Sequence, residues 1–260
     1  MARYKLILEY DGTALIGFQK NKDGPSVQSL VEEAIYKFSG QQTELVGCGR
    51  TDAGVHAIAM PAHFDMNSQS EHEKLSLRGA TSPKQSISAL TVKRAINFYL
   101  LNYPVSVTHC EPVADTFHAR FDCLMRHYKY VILNQDFPPV FEKNRCWHIP
   151  QRLDITAMKN AARQFIGNHD FTSFRATACQ AKSPIKTINS ITITCQMPHI
   201  IIEISARSFL HHMVRNIVGT LVEIGLGKPH DIPTIMAARD RSAAGPTAPS
   251  RGLFFIKADY

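Results

Sequence analysis

The sequence predicts an α+β fold made of two related halves with antiparallel sheets. Alternating, strand-like stretches come in neighbouring runs, which fits antiparallel sheets better than a series of βαβ units. Two amphipathic stretches of helical period end on similar signatures, Phe38-Ser39-Gly40 and Phe165-Ile166-Gly167. The elements around the second of these echo those around the first. The halves divide as residues 1–114 and 115–260.

In chain order, Lys5 to Tyr10 alternates apolar and polar positions and reads as a strand. Asp11 to Pro25 is a loop. Ser26 is a good N-cap, and Val27, Leu30, Val31, Ala34, Ile35 and Phe38 then fall on one helical face. Gly40 is placed to end that helix. Strands follow at Thr43 to Gly47 and near Ala57 to Met66. Asn67 to Ser88 is polar with little period and is expected to be an inserted, mobile loop. Leu90 to Leu101 has a helical pattern, and Val105 to Val113 reads as a strand. In the second half, Cys123 to Leu133 alternates as a strand that puts Leu124, Arg126, Tyr128, Tyr130 and Ile132 on one face. Asp154 caps a helix that turns Ile155, Met158, Ala161, Ala162 and Phe165 inward. Ser190 to Gln196 and Ile200 to Ala206 are strands. Helices are expected from about Phe209 to Ile224 and from about Ile232 to Arg239, and Leu253 to Ala258 closes as a strand.

Composition narrows the class of protein. The chain has 260 residues, enough for one large domain or two small ones, and 44% of them are apolar, as in ordinary globular proteins. A net charge of +7 suits a polyanionic partner without requiring one. The cysteines are Cys48, Cys110, Cys123, Cys146, Cys179 and Cys195, and no two form a Cys-x-x-Cys. No signal-peptide pattern opens the chain, and no apolar run is long enough to span a bilayer. A cytoplasmic protein with free, mostly buried cysteines and no membrane contact is expected.

The most informative string is Gly47-Cys48-Gly49-Arg50-Thr51-Asp52-Ala53-Gly54-Val55-His56-Ala57. Glycines permit positive φ or a close approach of the backbone to another group. A tight loop of this kind can hold Asp52 forward as a carboxylate, with Arg50 near enough to pair with it or to grip a phosphate. The plainer reading is an ordinary turn, since Asp and Gly are common turn residues.

The longer pattern decides between them. The string resembles the active-site motif of the tRNA pseudouridine synthase A family. Glu9-Tyr10-Asp11-Gly12-Thr13 with Gly17-Phe18-Gln19 resembles that family's opening, and five further stretches follow in the family's order. They are Phe117-His118-Ala119-Arg120-Phe121, Arg126-His127-Tyr128-Lys129-Tyr130, Gly167 to Phe174, Ser208 to Gly219 and Ala248 to Leu253. Together they span nearly the whole chain. The long polar stretch at Asn67 to Ser88 departs from the family pattern.

The resemblance implies a pseudouridine synthase fold whose two sheets meet at a central active-site cleft, with the first half carrying the catalytic loop. It implies an isomerase that converts uridine to pseudouridine at positions 38, 39 and/or 40 of the tRNA anticodon stem-loop and acts as a homodimer. By residue, it makes Asp52 the catalytic nucleophile. Tyr128 stacks on the uracil and is a candidate base, and Arg215 is the charge partner of Asp52. Leu253 packs beside that pair, and Arg50 meets the flipped base or its phosphate. Candidate phosphate contacts are Lys20, Lys22, Arg78, Lys84 and Lys182. Whether Asp52 attacks the uracil ring or C1′, or acts through a glycal, stays open.

Read without the family, Tyr128 is a core aromatic, Arg215 an arginine that snorkels from its helix to solvent, and Leu253 a core leucine. His211 and His212 are adjacent, so on a helix they point to different sides and do not chelate one metal together. Gly225-Leu226-Gly227-Lys228-Pro229 lacks the spacing and the following Ser or Thr of a P-loop, and Gly47-x-Gly49 lacks a third glycine at the dinucleotide-binding spacing. No metal and no cofactor are therefore expected. Two rivals are a non-catalytic RNA-binding module or chaperone of the same fold, and a hydrolase using Asp52 with His56.

Overall fold

In the computed structural model, which describes residues 1–67 and 87–260, the chain divides into two units. One is Met1–Cys123 together with Tyr260, and the other is Leu124–Asp259. Arg78, Lys84 and nearly all of the polar segment 67–88 lie outside the described residues.

The first unit contains β1 (Ala2–Tyr10), α1 (Val27–Ser39), β2 (Val46–Gly47), β3 (His56–Met66), α2 (Ala89–Leu100) and β4 (Val105–Val113). β1 lies between β4 and β3 and is antiparallel to both, with Leu6 opposite Ala62 on one side and Cys110 on the other. Tyr4, Leu6, Leu8 and Tyr10 are buried, whereas Lys5, Ile7 and Glu9 between them are not, which is the period of a half-buried strand. β2 adds a short antiparallel pairing to β3.

Ser26 and Ser29 cap α1 reciprocally, each hydroxyl accepting the other's backbone N–H at 3.1 and 3.0 Å. Gly40 ends the helix at φ +70. Val27, Leu30, Val31 and Ile35 are buried along one face, each worth about 1.5–3 kcal/mol of apolar burial. α2 packs on α1 and along β4. The stretch after β4 is tied to the same unit. Arg3 grips the Asp65 carboxylate with two N–H groups at 2.8 and 2.7 Å and gives a third to the Phe117 carbonyl at 2.8 Å. The buried His63 accepts the Ala119 N–H at 3.1 Å. These ties carry residues 115–123 into the first unit, although the sequence pattern divides the chain after residue 114.

The second unit contains β5 (Met125–Asn134), β6 (Trp147–Ile149), α3 (Ile155–Arg163), β7 (Gly167–Asp170), β8 (Ile185–Gln196), β9 (His199–Ala206), α4 (Met213–Gly225), α5 (Ile232–Ala238) and β10 (Leu253–Asp259). The strand order β10-β5-β9-β8-β7 is antiparallel throughout, and β6 runs parallel to β5. As in the first unit, the opening strand is flanked by the closing strand of its unit. Tyr128, Tyr130 and Ile132 face the same core as Ile204, Ile202 and Ile200 opposite them on β9. Leu124 lies before the strand and is exposed. α3 is capped by Asp154, whose carboxylate accepts the Ala157 N–H at 2.9 Å, and packs on β8 and α4.

α4 is shorter at its start than its apolar period suggests. It begins at Met213, because His212 sits at φ +61 in the left-handed region, where an α-helix cannot run. Leu210 and Met213 are both buried across this turn, so the apolar spacing continues where the helix does not. His211 and His212 precede the helix, and their rings are 4.0 Å apart and tilted by 40°. The expectation that they diverge from a helix is therefore incorrect.

The described residues form an α+β protein with mostly antiparallel sheet. None of the six cysteines, all among the described residues, is in a disulfide, and all but Cys195 are buried. No helix of the described residues is long and apolar enough to cross a membrane.

Candidate active site

Asp52 opens a tight turn between β2 and β3. Its carbonyl accepts the Val55 N–H at 3.2 Å, and Gly54, third of the four residues, has φ +77. A type II turn demands positive φ at that position, so a glycine there is a backbone requirement. The turn is fastened on both sides to the segment Leu15–Phe18. The Phe18 N–H donates to the Thr51 carbonyl at 3.0 Å, and the Gly54 N–H donates to the Leu15 carbonyl at 3.3 Å. Gly17 makes this approach possible: a Cβ there would lie 2.5 Å from the Thr51 oxygen.

The same segment is anchored to the start of α1. The Val27 and Gln28 N–H groups, which have no partner inside the helix, donate to the Gly17 and Phe18 carbonyls at 3.1 and 2.9 Å. Below the turn, the Thr51 hydroxyl is 2.8 Å from that of Tyr10 in the core, and burial pushes the Tyr10 pKa up, holding the phenol protonated. The backbone on either side of Asp52 is thus fixed by hydrogen bonds, and its side chain is half-buried.

Arg50 is exposed two residues before Asp52. His56 is 2% exposed, and its Nδ1 lies 3.0 Å from the Gly12 N–H and 3.2 Å from the Asp11 carboxylate, which ties its ring to the Gly12 turn.

In the second unit, Arg215 and Tyr130 are tied to the stretch Ala248–Leu253, and Tyr128 lies two residues from Tyr130 on the same strand face. Tyr128 is 9% exposed, and its ring meets Phe209 and Phe255 edge to face, each at 5.2 Å. One step along the same face, the Tyr130 hydroxyl donates to the Pro249 carbonyl at 2.7 Å, and Leu253 pairs opposite Tyr130. Burial pushes the Tyr130 pKa up, against the pull of Arg215 and Arg251. Arg215 is held on the neighbouring residue. Its Nε–H donates to the Ala248 carbonyl at 2.8 Å, and the Ala248 N–H donates back to the Arg215 carbonyl at 3.1 Å. It is a fixed side chain, not one that snorkels freely.

Of the candidate phosphate contacts, Lys20, Lys22 and Lys182 are exposed. Lys20 also lies 3.4 Å from Glu32, an exposed pairing of small worth.

Asn216 and Arg241 were not among the residues read from sequence. Asn216 is fully buried beside Arg215 on α4, where its Nδ2 donates to the Phe174 carbonyl at 2.8 Å and its Oδ1 accepts from Arg241 at 3.0 Å and Thr247 at 2.6 Å. The available signal was a lone amide within the apolar run Met213 to Val218.

A family model described as tRNA pseudouridine synthase matches residues 161–260. That match, over well under half of the chain, points to the pseudouridine synthases, a class of isomerases, and full-length relatives extend it. The tRNA pseudouridine synthase A of Orientia tsutsugamushi (strain Boryong) is 46% identical over 284 aligned residues, covering all of both chains. That of Rhodospirillum centenum (strain ATCC 51521 / SW) is 49% identical over 263, again covering all of both. The chain belongs to the tRNA pseudouridine synthase A family. A solved Cbf5–Nop10–Gar1 complex matches 97% of this chain and 48% of its own at 10% identity with a TM-score of 0.36, too distant a likeness to add to this.

Proposed function

We propose that the protein isomerises uridine to pseudouridine in tRNA, at positions 38, 39 and/or 40 of the anticodon stem-loop, with Asp52 as the nucleophile. The reaction breaks the N1–C1′ bond, turns the uracil and forms a C5–C1′ bond. The C5 proton leaves and N1 gains one, so composition is unchanged and no redox partner or phosphate donor is needed. The observation that carries this reading is the Asp52 turn, a carboxylate held by a fixed backbone in a chain whose full-length relatives are named for this activity.

The base must leave the stack to reach such a group. Asp52 adds to the uracil ring or to C1′, or draws a sugar proton on the way to a glycal. Arg215 keeps the carboxylate charged and oriented, as an opposite charge does. Tyr128 stacks on the uracil, and Tyr128 or Asp52 removes the C5 proton. Leu253 keeps water from the pair, and Arg50 contacts the flipped nucleotide. Residues 1–114 supply the catalytic loop and residues 115–260 the remaining side chains. Lys20, Lys22, Arg78, Lys84 and Lys182 are the candidate phosphate contacts, and the enzyme works as a cytoplasmic homodimer. A guanidinium held by the Ala248 carbonyl supports the assignment of Arg215.

The test is unmodified tRNA with uridines at those positions, incubated with the protein and mapped by carbodiimide-blocked primer extension. Stops one nucleotide 3′ of positions 38, 39 and/or 40, with RNA mass unchanged before the carbodiimide step, are expected. Binding without stops on several tRNAs would favour the non-catalytic RNA-binding module, and released uracil would mark a hydrolase.

A further inference from the structure

We propose that Arg241 is a positioning residue for the reaction, fixing the Ala244–Pro249 stretch on which the guanidinium of Arg215 is held. The proposal rests on the reading of Arg215 as the charge partner of the nucleophile. Arg241 opens a short 3-10 turn, Arg241–Ala243, that is capped by Asp240. Its side chain turns back toward α4. Nη2 donates to Asn216 Oδ1 and to Thr247 Oγ1, both at 3.0 Å, and Nη1 donates to the Gly245 carbonyl at 2.9 Å and the Ala244 carbonyl at 3.3 Å. Thr247 closes the ring by donating its own hydroxyl to Asn216 Oδ1 at 2.6 Å.

The next residue along is Ala248, which carries the reciprocal bonds with Arg215, and then Pro249, which accepts from Tyr130. One cation thus fixes Ala244, Gly245 and Thr247 of the stretch to Asn216 on α4, up to the residue before the one that orients Arg215. The other side of the stretch is fixed too. The Gly245 N–H donates to the Thr220 hydroxyl at 2.9 Å, and Gly219 lies against the Pro246 carbonyl with no room for a Cβ.

The choice of an arginine calls for an explanation. These four acceptors of Arg241 are neutral oxygens, and burial pulls its pKa below the ordinary arginine value. A cation taken from water without a charge partner is an expensive way to stabilise a loop. What it supplies is direction: a rigid planar fork satisfies acceptors on α4 and on the loop at the same time. A shift of the loop carries the Ala248 carbonyl, and with it Arg215, away from its place.

The test uses the full-length protein with Arg241→Met, Arg241→Lys and Thr247→Val, each alone and combined with Arg215→Lys. Thermal unfolding reports folding, filter binding reports tRNA affinity, and single-turnover pseudouridine formation reports the chemical step. Arg241→Met is expected to slow the chemical step at saturating tRNA about a hundredfold, the scale of a small misplacement of a reacting group. tRNA affinity should stay within about twofold of wild type. Arg241→Lys should recover part of the rate, and Thr247→Val, which keeps Arg241, should lose about tenfold. In the Arg215→Lys background the same changes should cost much less, because their effect passes through Arg215.

A single-turnover rate per folded molecule within about twofold of wild type in Arg241→Met would overturn the proposal. If that variant does not fold, an unchanged rate in Thr247→Val would do the same. Full additivity with Arg215→Lys would reduce Arg241 to a structural residue. Absence of pseudouridine from the wild type, by contrast, would overturn the reading of the site itself.

Discussion

At the scale of single residues, the Asp52 turn depends on Gly54, whose φ of +77 is strained for any L side chain. Gly54→Ala is expected to cost about 1–2 kcal/mol in thermal or urea unfolding and to slow pseudouridine formation at saturating tRNA. Unchanged stability would show that the turn does not need its positive φ. The Tyr10–Thr51 pair makes a second case, because both groups are buried. Thr51→Val leaves the Tyr10 hydroxyl unsatisfied and should cost about 1–3 kcal/mol, most of which Tyr10→Phe in the same chain should restore. Additive losses in urea unfolding would contradict that pairing.

The Asp52 turn was legible in the sequence because it closes between Asp52 and Val55 and one of its residues, Gly54, is an obligatory glycine. The clamp from Leu15 to Phe18 was visible only as a family block, because it is made of backbone groups. One bond of Arg215 was not legible for the same reason: its acceptor is the Ala248 carbonyl, 33 residues away, and a carbonyl has no side-chain signature. Arg241 was missed because its acceptors are an amide, a hydroxyl and two carbonyls, none of which reads as a charge partner.

At the scale of elements, β3 carries a pH-dependent tie to the 115–123 stretch. Burial, with Arg3 and His118 adding to it, holds the His63 pKa down from 6.5 to about 4. A neutral ring is what the geometry requires, since Nδ1 must keep a lone pair for the Ala119 N–H. Above pH 6.5 the ring is neutral whether folded or unfolded, and the tie is fully present. Below that the unfolded chain takes up the proton first, so stability is lost as pH falls toward about 4. Urea unfolding at pH 7 and pH 5 should show this loss, and His63→Gln should shrink it. An equal pH dependence in the two proteins would contradict the assignment.

α4 offers a steric test, because a Cβ on Gly219 would run into the Pro246 carbonyl. Gly219→Ala should cost about 1–3 kcal/mol by overpacking, read as a lower Tm. The helices and long strands were legible from their periods and caps, most clearly α1 between Ser26 and Gly40. The start of α4 was not, because one left-handed residue, His212, interrupts the helix without interrupting the apolar spacing. The short strands β6 and β7, of three and four residues, are too brief to show a period.

At the scale of the whole molecule, a chain of net charge +7 should bind tRNA with a salt response set by the phosphates it neutralises. tRNA affinity should fall with ionic strength, and Lys20→Ala or Lys22→Ala should each weaken it and lower the slope against log salt by about one, leaving the chemical step unchanged. An unaltered slope would remove that lysine from the phosphate contacts. The two halves were read from the helix-then-strands order that each carries, whereas the ties of Arg3 and His63 to residues 115–123 have no signature in the sequence, because they run through a backbone carbonyl and an N–H.

The central claim, that Asp52 performs the isomerisation, is tested most directly with tRNA whose uridines carry tritium at C5. Forming the C5–C1′ bond expels that hydrogen, so every turnover releases label to water. The wild type should release it, and Asp52→Ala, folded and binding tRNA as tightly, should release none above background. Release from the folded Asp52→Ala protein at the wild-type rate would contradict the account.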